Sequence, residues 1–323
     1  MDNERWITFF ANRSLFMVHG SWFERGFVTI TLTERQMRKI LVIGAKGMLG
    51  RDLVEALQSS FPVDEITGWD VEEIDIQEEK NTITRIRNFG PAVIINVAAY
   101  TDVDGCELNE KKAFAVNAEG MKHVVLGAAA CEAKVVALST DYIFDGKKGG
   151  PYLEEDPPHP LNVYGRSKWK GEQYVQELAK DALIIRTQWL YGKHGRNFVA
   201  SVLRQAREKT VLQVVNDQRG SPTYTVDLSR AISLLIEREA RGIFHVANSD
   251  TCTWFDYAQT ILKLSGVEGV KVIPISSKEL AYPAARPAYS VLDTEKLKRE
   301  MGLTLRQWTE ALKDYLSCCR ERP

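Results

Sequence analysis

From residue 38 onward, hydrophobic positions come in short unbroken runs separated by longer amphipathic stretches. Runs at 39–43, 92–97, 134–139 and 182–187, with a weaker one ending at Trp69, read as β-strands. Stretches with helical spacing lie between them, near 48–59, 77–88, 109–130 and 163–179. Almost fully apolar strands alternating with helices predict a parallel sheet covered on both faces. The expected fold class is therefore α/β, a doubly wound parallel (Rossmann) sheet. After about residue 190 the pattern changes, and Gly220-Ser221-Pro222, Tyr282-Pro283 and Arg286-Pro287 punctuate shorter elements. This predicts a main domain over 37–190 and a smaller C-terminal α/β substrate-binding region over 191–323, with some elements returning to the first domain. Residues 1–36 stand outside the pattern, rich in Trp and Phe and without a sustained period. Met37 directly precedes the first strand, so 1–36 is expected to be an extension or a mis-called start.

Composition narrows the function classes. A chain of 323 residues suggests about two domains. Its 44% hydrophobic and 26% charged content is that of an ordinary globular protein. Net charge is −1 with no long basic run, which points away from nucleic acid or an anionic membrane as partner. No apolar run approaches the ~20 residues that cross a bilayer. The apolar stretch before Glu24 is broken by Asn12, Arg13 and His19, unlike a signal peptide. The cysteines, Cys106, Cys131, Cys252, Cys318 and Cys319, are odd in number and form no Cys-x-x-Cys. Reduced thiols in a cytoplasmic protein are expected, with neither a disulfide framework nor a metal site.

The first strand runs into Gly44-Ala45-Lys46-Gly47-Met48-Leu49-Gly50, a Gly-x-x-Gly-x-x-Gly turn followed by an amphipathic helix. Glycines there permit a tight turn and let backbone N–H groups approach a pyrophosphate, while the helix N-terminus adds partial positive charge. This strand–turn–helix context points to a dinucleotide, NADPH or NADH. Asp70 ends the second strand, where a carboxylate accepts from the adenosine ribose hydroxyls and repels a 2′-phosphate. A solvated turn carboxylate is the plainer alternative for that residue.

Two downstream features suggest the chemistry. Ser139-Thr140-Asp141-Tyr142 closes an apolar strand, at the sheet edge where ligands of open parallel sheets bind. Tyr164 and Lys168 stand four apart at the start of a helix and so share one face. A free phenol has a pKa of about 10, and a neighbouring ammonium is expected to lower it toward the range useful for proton transfer. Thr140 adds a hydroxyl for the same carbonyl oxygen. Tyr-x-x-x-Lys also occurs on helices with no chemistry; the glycine turn and the strand end give it meaning here.

Taken together, these residues resemble the extended short-chain dehydrogenase/reductases, and specifically the branch that reduces dTDP-linked 4-keto-6-deoxysugars. The resemblance covers nearly all of 38–315. It rests on the glycine turn, Asn96–Thr101, Phe114–Asn117, Ser139–Phe144, Pro160–Gly165, Arg186–Tyr191, Asn216–Thr223 and Ala285–Pro287. It implies that Gly47, Met48 and Leu49 contact the pyrophosphate, that Asp70 contacts the ribose, and that Asp75 and Ile76 lie near the adenine. Val97, Ala98 and Ala99 would line the cofactor wall, and Asn117 would support the site's backbone. Thr140, Tyr164 and Lys168 would form the catalytic group, with Asp141 and Trp189 on the sugar nucleotide. Arg286 is the expected contact for the diphosphate, because a guanidinium fork matches phosphate oxygens. The implied activity is reduction of the C4 ketone of dTDP-4-dehydro-L-rhamnose by NAD(P)H, with a homodimer compatible with the family. In some relatives a carboxylate matched by Asp52 joins a metal-bridged dimer, and no metal is carried over here. The alternatives are a redox-neutral epimerase or dehydratase, and a non-catalytic subunit of the methionine adenosyltransferase type.

Overall fold

The apolar runs pair as parallel strands, since strands without a polar face have no side to offer to water. The structure is a computed structural model that describes residues 37–320, so the expected extension over 1–36 lies outside the described residues. Strands β1 (Lys39–Ile43), β2 (Glu65–Trp69), β3 (Val93–Asn96), β4 (Lys134–Thr140) and β5 (Ala182–Thr187) follow the sequence reading within a residue or two. Seven more strands come after: β6 (Leu190–Tyr191), β7 (Val211–Val215), β8 (Arg219–Gly220), β9 (Thr223–Tyr224), β10 (Gly242–His245), β11 (Cys252–Thr253) and β12 (Lys271–Ile275). The main sheet has the order β10-β5-β4-β3-β1-β2, and every pairing in it is parallel. Its direction of winding switches between β1 and β3, which opens a crevice at the carboxyl ends of the strands. The expected α/β doubly wound fold is the one found.

Strand residues alternate between two cores. Ile40 and Val42 pack with Leu53 and Leu57 of α1 (Met48–Ser60), together with Leu228, Ile232 and Leu235 from a later helix. Leu41 and Ile43 face the opposite layer, against Ile86 of α2 (Glu79–Phe89). The segment expected as one helix over 109–130 is broken. Behind α3 (Val103–Leu108) come α4 (Glu110–Phe114), a π-helical turn at Ala115–Glu119, and α5 (Gly120–Ala129). The break has a cause: Asn117 in the wide turn accepts from the backbone N–H of Tyr100 at 2.8 Å and donates to its carbonyl at 3.0 Å. Such single π turns are often kept where a side chain must be redirected toward a site.

Helix α6 (Val163–Leu178) completes this layer. The last part of the chain supplies α7 (Phe198–Glu208), α8 (Thr225–Glu237), α9 (Trp254–Ser265), α10 (Glu295–Met301) and α11 (Trp308–Arg320). Of these, α8 returns to cover the first core, and β10 joins the edge of the main sheet. A third apolar cluster forms around Tyr191, Tyr224, Tyr257 and Trp308, with residues of α7, α9 and α11. No helix among the described residues is long and apolar enough to cross a membrane.

A buried ion pair ties α6 to the sheet. Arg186 of β5 donates to Glu172 of α6 at 2.8 Å, and each side chain is only 3% exposed. Arg186 also donates to the Glu154 carbonyl at 3.0 Å and lies 3.5 Å from His245 of β10. Burial, and then the charge of Arg186, pushes the His245 imidazole down to about 3, so it stays neutral beside the guanidinium. Removing one partner of such a pair strands the other charge in the interior. Glu172→Gln is therefore expected to lower stability by about 3–5 kcal/mol in urea unfolding; a loss below ~1 kcal/mol would show that water reaches Arg186.

Candidate active site

The glycine turn is built by close backbone packing. Gly44 has φ +86°, and a Cβ there would lie 2.6 Å from the Ala98 nitrogen. At Gly50 a Cβ would meet the Gly44 carbonyl oxygen at 2.1 Å and the Ala45 Cα at 2.8 Å. The N–H groups of Gly44 and Ala45 both donate to the Trp69 carbonyl, at 2.8 and 3.1 Å, which fastens the turn to the end of β2. Helix α1 begins at once, and no side chain caps its first turn. A bare helix N-terminus under glycine backbone is the cradle a pyrophosphate requires.

This turn forms one wall of a cleft of about 780 Å³. The residues expected to hold a dinucleotide all line it: Gly44, Gly47, Met48, Leu49 and Gly50 of the turn, Asp70, Asp75 and Ile76 beyond β2, and Val97, Ala98 and Ala99 after β3. Thr140, Asp141, Tyr164, Lys168 and Trp189 line the same cleft. Its size, its glycine cradle and its carboxylate at the ribose end fit an extended dinucleotide beside a second ligand.

Thr140 ends β4, and in the β4–β5 register it stands opposite Thr187. Its hydroxyl donates to Asp141 at 3.1 Å and accepts from the Tyr142 N–H at 3.2 Å. Tyr164 and Lys168 come from the first two turns of α6, whose start is fixed on two sides. The Asn162 side chain accepts from the Gly165 N–H at 2.7 Å and donates to the Ala285 carbonyl at 2.7 Å. Asn117 donates to Ser167 at 3.0 Å, and Ser167 donates to the Tyr164 carbonyl at 2.8 Å. A Cβ on Gly165 would strike the Tyr142 carbonyl at 2.1 Å, so α6 sits as close to the strand end as backbone permits.

The electrostatics differ from the sequence expectation in one respect. Burial raises the Tyr164 phenol above its ordinary value, and a hydrogen bond with Thr140 only partly offsets this. The Lys168 ammonium donates to the Leu138 carbonyl at 2.6 Å, and desolvation dominates the phenol. Burial lowers Lys168 itself to about 8, against the pull of Glu172. Burial also pushes the Asp141 carboxyl up to about 7, opposed by hydrogen bonds from Ser290 and Thr140. The hydroxyls of Ser139 and Thr187 and the amide nitrogen of Gln188 are buried there without partners. The protein leaves this end of the cleft incompletely satisfied, as expected where a ligand completes the set.

The family model for the RmlD substrate binding domain matches residues 37–320, the whole described region. The chain belongs to this family. Among similar proteins, a dTDP-4-keto-6-deoxy-D-glucose reductase from Streptomyces niveus is 40% identical over 275 residues, 84% of this chain and 94% of that one. The crystal structure of a dTDP-4-dehydrorhamnose reductase from Clostridium acetobutylicum matches with a TM-score of 0.85 at 38% identity, covering 87% of this chain and 99% of that one. A dTDP-4-dehydrorhamnose reductase from Bacillus anthracis, solved in complex with NADP, matches with a TM-score of 0.84 at 37% identity over the same shares.

Two expected contacts of this RmlD-family chain are arranged otherwise. Arg286 is not among the residues lining the cleft; its guanidinium is engaged by Asp104, at 3.1 and 2.7 Å, and stacks 4.2 Å over the Tyr282 ring. Its fork is already filled by a carboxylate and is not free for a diphosphate. Trp189 reaches the cleft, but its indole stacks on Trp254 with centroids 3.6 Å apart, and Gly220 presses on the ring as well. An open face for a deoxysugar is therefore not what this arrangement offers. Trp254 and Arg196, both in the cleft wall, carried no sequence signal: Trp254 opens α9 and Arg196 lies in the loop between β6 and α7, each far along the chain from the glycine turn. Asp52, the residue matched to a metal-bridging carboxylate, is buried and accepts from the Thr225 hydroxyl. No cluster able to hold a metal ion occurs among the described residues. Gly50→Ala is expected to displace the turn and weaken dinucleotide binding more than ~10-fold by calorimetry; unchanged affinity would mean that the turn is not the cradle.

Proposed function

We propose that this chain reduces the C4 ketone of dTDP-4-dehydro-L-rhamnose to dTDP-L-rhamnose, using NADPH or NADH, in the synthesis of cell-surface polysaccharide precursors. The observation that carries the reading is the meeting of Thr140, Tyr164 and Lys168 in the cleft whose other wall is the glycine turn. Relatives named as reductases of dTDP-linked 4-keto sugars, one of them a complex with NADP, support both substrate and cofactor. The nicotinamide, when bound, supplies the hydride that adds to the sugar carbonyl carbon.

The protein's own part is positioning and proton supply. Tyr164 gives its phenolic proton to the carbonyl oxygen as that oxygen gains charge, so hydride and proton together saturate the C=O bond. Burial keeps the phenol protonated before the step, which suits a donor. Thr140, hydrogen-bonded to both Tyr164 and Asp141, orients the ring and the ketone. Lys168 holds a positive charge beside the phenolate that remains, anchored by the Leu138 carbonyl. The sugar nucleotide would lie between the 37–190 domain and the 191–323 region, with Asp141 and the Trp189–Trp254 stack along its path. A cytoplasmic location and a homodimer belong to the same proposal.

A redox-neutral epimerase or dehydratase remains the contrasting reading. The carboxylate Asp141 is followed by Tyr142, which packs edge-on against Tyr164 at 5.9 Å, so no second carboxylate stands next to it as an additional acid. Mixing the protein with dTDP-4-dehydro-L-rhamnose and following reduced-nicotinamide absorbance tests the proposal. Stoichiometric loss is expected, and no net oxidation would reject it. Tyr164→Phe should abolish turnover while nucleotide binding persists; near-normal turnover would remove the assigned proton donor. The rate is expected to fall as pH rises through about 8, where Lys168 loses its proton. Lys168→Arg, which keeps its charge, should carry that fall to higher pH, and an identical profile in both proteins would assign the limb elsewhere.

A further inference from the structure

The ribose end of the cleft carries an arrangement of charges that the proposed function does not use. Lys46 lies inside the glycine turn, and its backbone N–H donates to Asp70 at 2.8 Å. Its ammonium turns outward, 2.9 Å from Glu72 and 3.8 Å from Glu73. Glu73 is held in place, because it also accepts from the Asp70 N–H at 2.8 Å. The second oxygen of Asp70 accepts from the Val71 N–H at 2.9 Å. One ammonium therefore pairs with two carboxylates, and a third, Asp70, is bound to the backbone of the same lysine. The other cation beside the turn, Arg51, spends its Nε on the Lys46 carbonyl at 3.1 Å. Asp70 and Lys46 line the cleft, whereas Glu72 and Glu73 stand outside it.

In a dinucleotide fold the adenosine ribose sits at the end of β2, and a 2′-phosphate requires a cation there. Lys46 is the cation of the cleft lining bound next to Asp70. We propose that Glu72 and Glu73 act as specificity-determining residues by holding Lys46 away from the ribose, so that the chain prefers the dinucleotide without a 2′-phosphate. This rests on the dinucleotide reading above and narrows it to NAD(H). The effect is electrostatic and lies on the surface, so it is modest and weakened by salt.

Calorimetric titration of the purified protein with NAD+ and NADP+ tests this without turnover. At low salt NAD+ is expected to bind ~10-fold more tightly than NADP+. Glu72→Gln should shrink that ratio about three- to fivefold. Lys46→Ala placed in the Glu72→Gln background should restore it, which a merely structural role for Glu72 would not do. Raising ionic strength should also shrink the ratio. Equal or tighter binding of NADP+ by the unaltered chain would overturn the inference, as would an unmoved ratio in Glu72→Gln. Failure of both dinucleotides to bind would bring down the proposed function, and the inference with it.

Discussion

Arg186 and Glu172 join the sheet to the helix that carries Tyr164 and Lys168, and they do so where water does not reach. A guanidinium in the interior needs a full set of partners, and here Glu172, the Glu154 carbonyl and a neutral His245 surround it. Those partners come from α6, from the loop after β4, and from the edge strand β10. Satisfying one buried charge thus holds α6 against β5 at Glu172. The start of α6 is set separately, by Asn162 and by Asn117 through Ser167, and there Thr140 and Tyr164 come into hydrogen-bonding contact. Close packing completes the placement: α6 leaves no room for a side chain at Gly165, and at Gly171 it lies against the Asn117 carbonyl.

Much of the main sheet was legible because its strands are apolar on both faces, and runs such as 39–43 and 182–187 admit few other readings. The glycine turn was legible for a related reason: at Gly44 and Gly50 only the absence of a Cβ allows the backbone to close. The helix over 109–130 was misread as continuous because a π turn leaves helical periodicity almost intact. What breaks it is a long-range contact, Asn117 to Tyr100, seventeen positions away. The later elements were hidden because Gly, Pro and Tyr interrupt the chain there and β6, β8, β9 and β11 are only two residues long, too short for any period to emerge.

Side-chain chemistry was harder to read than backbone architecture. The spacing of Tyr164 and Lys168 places both on one face, but spacing says nothing about where an ammonium finds its acceptor. In the folded chain that acceptor is the Leu138 carbonyl, and desolvation dominates the phenol. Arg286 illustrates the same limit, since its partner Asp104 lies 182 positions earlier. A sequence shows that a guanidinium is present; only the fold shows that it is already occupied.

Trp189 has an unusual backbone geometry. It adopts φ +46°, a left-handed geometry that glycine would take without strain and that a bulky residue takes at a cost of order 1–3 kcal/mol. The polypeptide thus gives up stability at one position of the cleft wall to place an indole there, stacked on Trp254 and resting on Gly220. A conformation held against its own preference persists only where its surroundings over-determine it, and here the Thr223 N–H, donating to the Trp189 carbonyl at 3.1 Å, supplies part of that hold. One residue thereby fixes both the direction of the chain between β5 and β6 and one side of the cleft.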